Sequence, residues 1–167
     1  MEQSIETVIA LLKQINDAYT EMLALSKTKN QCIIKADAPG VNDVVAEEWK
    51  LLQKISELEE SRIAATETLK NEWGVGDGLT LAQIGQRADA DQQKRLEKIG
   101  TELKNTMAAQ KKLNDENMAL LKLHFEYINF MMFNFMQDYG SGDIYGQSGA
   151  VQDGCINTTT GLIDSQI

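Results

Sequence analysis

The sequence predicts an all-α protein: three long antiparallel helices in a coiled-coil-like bundle, a short helix connecting the second and third, and a flexible C-terminal tail. Three observations carry this. Apolar residues recur at alternating intervals of three and four over long stretches, which is the pattern of a heptad seam. Only one proline occurs in 167 residues, and β-branched residues are few outside the ends. Six of the twelve glycines lie from position 139 onward, where the periodicity fades.

The first helix is expected from about residue 3 to the early thirties, on a seam of Ile5, Val8, Leu12, Ile15, Tyr19 and Met22. Asp37-Ala-Pro-Gly40 breaks it, since proline and glycine punctuate regular structure. Asn42 is then placed to cap a second helix, with Asp43, Glu47 and Glu48 near the positive end of its dipole. The second seam runs Val44, Glu48, Leu51, Ile55, Leu58, Arg62, Ala65, Leu69 and Trp73, and stops at Gly74-Val-Gly-Asp-Gly78. Thr80-Leu-Ala-Gln83 fits a capping box and opens a short helix through about Arg87.

Asp89 or Asp91 can cap the last helix, whose seam passes Leu96, Ile99, Leu103, Met107, Gln110, Leu113, Asn117, Leu121, His124, Ile128, Met131 and Phe135. Running from 91 to 138, it would be about 70 Å long at 1.5 Å per residue, against about 45–48 Å for either earlier helix. One end of the last helix must therefore overhang its partners. The domain reading is a helical bundle over residues 1–138 and a Gly-rich tail over 139–167.

Composition excludes several classes of function. The net charge of -9 and a pI near 4.6 repel phosphate backbones and anionic lipid, so nucleic acid is not an expected partner. The acidic start, MEQSIETVIALLKQIND, lacks the basic region of a secretion signal. A cytoplasmic protein is expected, with no membrane insertion, and Cys32 and Cys155 are expected as free thiols.

Every phenylalanine, and four of the seven methionines, falls between Met118 and Met136. In MALLKLHFEYINFMMFNFM, Glu126 is the last charge before Asp138. An ordinary amphipathic helix shows one apolar stripe, but on helical spacing Tyr127, Ile128, Phe130, Met131, Met132, Phe133, Phe135 and Met136 point in nearly every direction. The charge-free run from Tyr127 to Gln137 is well short of the roughly 20 residues that span a bilayer. Leaving six large apolar side chains in water would forgo on the order of 10 kcal/mol, comparable to a domain's net stability. Something must cover this end. Either the protein's own core does so, against Ile33, Ile34, Val41 and Val44, or another polypeptide does. The overhang and the adaptability of methionine-rich surfaces favour the second, with Tyr127, Phe130, Met131, Phe133, Phe135 and Met136 as the binding residues.

Catalytic, metal and cofactor readings find no support in the residues. His124 is the only histidine, and no Glu stands three residues before it, so the di-iron Glu-x-x-His pattern is missing. It reads as a seam residue. Gly74–Gly78 has no preceding strand and no following Lys-Ser/Thr, so it reads as a helix-ending linker and not a phosphate loop. Asn157-Thr-Thr159 is a glycosylation sequon only in a secreted chain. Gln110, Asn117 and His124 share one seam, where polar residues fix register, or could hydrogen-bond a guest helix.

The order of features resembles the FlgN-type flagellar type III export chaperones. The likeness rests on the acidic-led first helix, Leu58-Glu-Glu-Ser-Arg62, and Leu79-Thr-Leu-Ala-Gln-Ile84. It continues with Leu113-Asn-Asp-Glu-Asn117, Leu120-Leu121, Tyr127-Ile128 and Tyr145-Gly-Gln-Ser-Gly149. The resemblance spans about residues 1 to 149. It implies a cytoplasmic chaperone that holds the amphipathic C-terminal helix of flagellar hook-associated (hook–filament junction) proteins, prevents premature assembly, and delivers them to the export gate. It further implies gate docking through the Tyr-Gly-x-x-Gly motif, here Tyr145, Gly146 and Gly149, with Tyr139-Gly-Ser-Gly142 a poorer match. The alternative is a structural coiled-coil adaptor or oligomerisation module, in which a homodimer covers the apolar end.

Overall fold

The computed structural model describes residues 2–76, 78–140, 144–145 and 151–152. Four helices follow in order: α1 over Glu2–Ile34, α2 over Ala38–Trp73, α3 over Leu81–Arg87 and α4 over Ala90–Gly140. The fold is all-α, as the seams predict. The chain divides into two compact units, Met1–Leu121 and Lys122–Ile167, so the division falls inside α4.

In the first unit, α1 and α2 form an antiparallel hairpin. Ser4 Oγ donates to Glu72 Oε1 at 2.7 Å at one end, and Ser26 Oγ donates to Glu48 Oε1 at 3.0 Å toward the other. Residues 90–121 of α4 run parallel to α1. Arg95 reaches Glu6 at 2.8 Å, Thr106 reaches Asn16 at 3.2 Å, and Asn30 reaches Asn117 at 2.7 Å. The order is therefore up–down–up for the long helices, with α3 as the connector.

The turn after α1 departs from the sequence reading. Ala36 takes φ 54°, and the N–H groups of Ala36 and Asp37 bond back to Ile33 and Cys32 at 3.0 and 2.9 Å, a Schellman-type ending. Asp37, not Asn42, is the N-cap of α2, and Pro39 lies in its first turn. Proline that looks like a breaker in sequence is pre-organised for a helix's first positions, where its missing N–H costs nothing. With the start moved upstream, no acid remains in the first turn of α2. Asp37 Oδ1 accepts from Gly40 N at 3.0 Å, and a Cβ at Gly40 would collide with the Asp37 carboxylate. Gly40→Ala should therefore cost about 1 kcal/mol in urea unfolding, the worth of the cap it displaces. In an Asp37→Ala background the same change should cost clearly less, because the two share one interaction.

Other ends match the expectations. Gly74 caps α2 in the left-handed conformation at φ 60°, which glycine adopts without a Cβ penalty. Thr80 and Gln83 form a reciprocal capping box at the start of α3. Asp89 accepts from Gln92 N at 2.8 Å and fills the same role for α4.

Two apolar clusters hold this unit. One gathers Ile5, Val8, Ile9 and Leu12 of α1 with Leu69, Ile84 and Leu96, so it joins all four helices. The other packs Ala18 and Met22 against Leu51 and Ile55. Beyond α4, Ile144–Tyr145 pairs antiparallel with Val151–Gln152. Gly146, Gly149, Cys155 and the sequon at 157–159 lie outside the described residues, as does most of the tail read over 139–167.

Candidate apolar binding surface on α4

The C-terminal part of α4 carries no helix breaker, with no glycine or proline between Thr101 and Tyr139. Lys122 and Glu126 add an i,i+4 pair at 4.0 Å, worth a few tenths of a kcal/mol. The absence of breakers lets the helix continue. It does not explain what its side chains are for.

The exposures pose that question directly. Tyr127, Phe130, Met131, Phe133, Phe135 and Met136 are 62, 61, 51, 62, 61 and 66% exposed. Core residues of the first unit such as Ile15 and Leu69 are fully buried. The structure thus brings all six candidate residues onto one exposed helix end. Leu123, Phe125, Ile128 and Met132 are also at least half exposed there, and the candidate set drawn from sequence omitted them. Phe125 and Met132 belong to the same Phe/Met run, which was the signal available for including them. Met131, Met132, Phe135 and Met136, with Asn134, line a shallow concavity.

In the first unit Ile33 and Val44 are buried, whereas Ile34 is 62% exposed. At half to two-thirds exposure, the six side chains leave several kcal/mol of burial unrealised, at about 25 cal/mol per Å².

The polar seam residues have structural partners in the first unit. Asn117, 1% exposed, donates to the carbonyl of Ser26 at 2.9 Å and accepts from Asn30 at 2.7 Å. Gln110 Nε2 donates to Ser26 Oγ at 2.8 Å. His124 is half-buried on α4. Among the described residues, no group of three His, Cys, Asp or Glu could hold a metal ion. Nor is any described helix long and apolar enough to cross a membrane. Tyr145 lies in the short strand 144–145, while its motif partners Gly146 and Gly149 are outside the described residues.

The family model described as FlgN protein matches residues 1–153, which takes in all four helices and the Tyr145 motif. The chain belongs to the FlgN protein family. As a FlgN-family member it has a general role as a flagellar export chaperone, and the family is not an enzymatic one. The chain is also 21% identical over 126 residues to the uncharacterized protein YvyG of Bacillus subtilis (strain 168), covering 75% of this chain and 77% of that protein. No solved structure gives a match.

Proposed function

We propose that the protein is a cytoplasmic carrier for flagellar hook-associated proteins, and that it holds the amphipathic C-terminal helix of its client on the apolar end of α4. The observation that carries this is the exposure of Tyr127, Phe130, Met131, Phe133, Phe135 and Met136 around one helix end. A helix with apolar residues on all sides can be sheathed by a guest helix whose own stripe is apolar, and methionine lets the surface re-pack around clients of differing shape. Covering the client's own apolar stripe in this way would keep the client from assembling early.

The test is binding of the purified full-length protein to peptides spanning the C-terminal helix of hook–filament junction proteins. Alongside it, sedimentation and hydrophobic-dye fluorescence are measured on the protein alone. Saturable peptide binding that displaces the dye supports the reading. A client-free homodimer that binds neither dye nor peptide would make the protein an oligomerisation module instead.

Delivery is assigned to Tyr145 with Gly146 and Gly149. An aromatic ring offers a large apolar contact at low side-chain entropy cost, and neighbouring glycines let the backbone approach a partner closely. Tyr145→Ala should leave the melting temperature and client affinity unchanged while cutting secretion of the junction proteins several-fold. Tyr139→Ala should do less. Normal secretion from the Tyr145 variant, or a defect seen only at Tyr139, would remove the assignment.

A further inference from the structure

The three long helices meet in one buried polar layer, and α4 is attached there by a different kind of bond from the one at its start. Ser26, 0% exposed, sits at the centre of the layer. Its hydroxyl donates to Glu48 Oε1 at 3.0 Å and accepts from Gln110 Nε2 at 2.8 Å, and its carbonyl accepts from Asn117 Nδ2 at 2.9 Å. Lys29 Nζ closes on Glu48 Oε2 at 2.7 Å, and Asn30 Nδ2 donates to Asn117 Oδ1 at 2.7 Å. Gln110 Oε1 is buried with no hydrogen-bond partner among the described residues.

Nearer the start of α4 the attachment has a large apolar part: beside the bonds of Gln92 and Arg95 to Glu6 at 3.2 and 2.8 Å, Leu96, Ile99 and Leu103 pack into the cluster built on α1. The second cluster, around Ala18, Met22, Leu51 and Ile55, draws on α1 and α2 and contains no residue of α4. Backbones of α1 and α2 run close together.

We infer that this polar layer is a reversible latch. Residues 106–121 of α4 part from the α1–α2 hairpin and reseat, while residues 90–103 stay anchored. The asymmetry follows from the bonds. Hydrogen bonds given up to water are replaced by others at small net cost, whereas Leu96, Ile99 and Leu103 lose burial that water cannot restore. Opening also gives Gln110 Oε1 the partner it lacks when seated, which lowers the cost of opening further. The α1–α2 hairpin keeps its own core in either state. This is a sub-global opening of the kind that leaves most of a domain intact, and it does not depend on which client is carried.

The test uses thiol labelling of the full chain with Cys32→Ser and Cys155→Ser, carrying either Ser26→Cys or, as control, Val8→Cys. Both parent positions are 0–1% exposed. The thiol at position 26 should label at least tenfold faster than the one at position 8. Its rate should be nearly flat in urea below the unfolding transition, because local opening exposes little surface, while the rate at position 8 climbs steeply. Adding Gln110→Met, which removes the unpaired oxygen at similar shape, should slow labelling at position 26 several-fold and leave position 8 unchanged. Native-state hydrogen exchange on the unsubstituted chain guards against loosening by Ser26→Cys, and amides of 106–121 should exchange faster than those of 92–103. Equal labelling rates with equal urea dependence would overturn the latch. So would fast labelling at position 26 that Gln110→Met does not change, or slower exchange in 106–121 than in 92–103.

Discussion

Replacing Phe130, Met131 and Phe135 together with serine should weaken capture of a client's C-terminal helix by at least about 100-fold, since burying one large apolar side chain is worth about 1.5–3 kcal/mol and each 1.4 kcal/mol is a factor of ten. The same triple substitution should lower the melting temperature by no more than about 6 °C, because exposed substitutions usually cost under about 0.5 kcal/mol each. These residues are 61, 51 and 61% exposed in the protein alone, so the folded state has little of their burial to lose. Titration calorimetry with the client peptide and a thermal melt, run on one preparation, separate the two effects. If the variant melts early and the fraction still folded binds normally, the segment is an internal core and the binding assignment fails.

The largest loss of stability should come from the opposite kind of residue. Leu69 is 0% exposed and lies in the cluster that joins all four helices. Leu69→Ala should cost about 2–5 kcal/mol, a transfer term plus the cavity left behind, and lower the melting temperature by about 5–15 °C. Trp49 is larger but 65% exposed, and Trp49→Ala should cost no more than about 0.5 kcal/mol. Urea unfolding of the two variants checks the pair. A tryptophan substitution more damaging than the leucine one would mean that the surface of α2 is buried in solution.

Much of the fold was legible because local rules and the global arrangement agree. Val44, Glu48, Leu51, Ile55 and Leu69, read as the seam of the second helix, are the residues α2 buries. Thr80 with Gln83, and Gly74, marked helix ends by chemistry that needs no tertiary contact: a side-chain oxygen for an orphan N–H, and a residue free to adopt φ 60°. The misplaced start of α2 shows where such rules compete. Asp37 and Asn42 are both good caps, and Pro39 read as a breaker tipped the choice downstream, although proline in the first turn initiates the helix. Glu48, besides its place in the seam, was read as a dipole partner near a helix start. Three-dimensional packing makes it instead the acceptor for Ser26 and Lys29.

The candidate surface was legible for a simpler reason. A run holding every phenylalanine and no charge from Tyr127 to Gln137 cannot form a one-sided amphipathic helix whatever it packs on. By itself the sequence determined the all-helical class, most helix ends, the seams and the segment whose apolar residues face nearly every direction, because these depend on spacing and caps. Only the tertiary structure decided that Ser26 gathers Glu48, Gln110 and Asn117 into one buried layer, and that the large apolar side chains from Tyr127 to Met136 stay exposed. Those facts depend on which residues meet across 22 to 91 positions of chain, and periodicity along a helix carries no information about what stands opposite it.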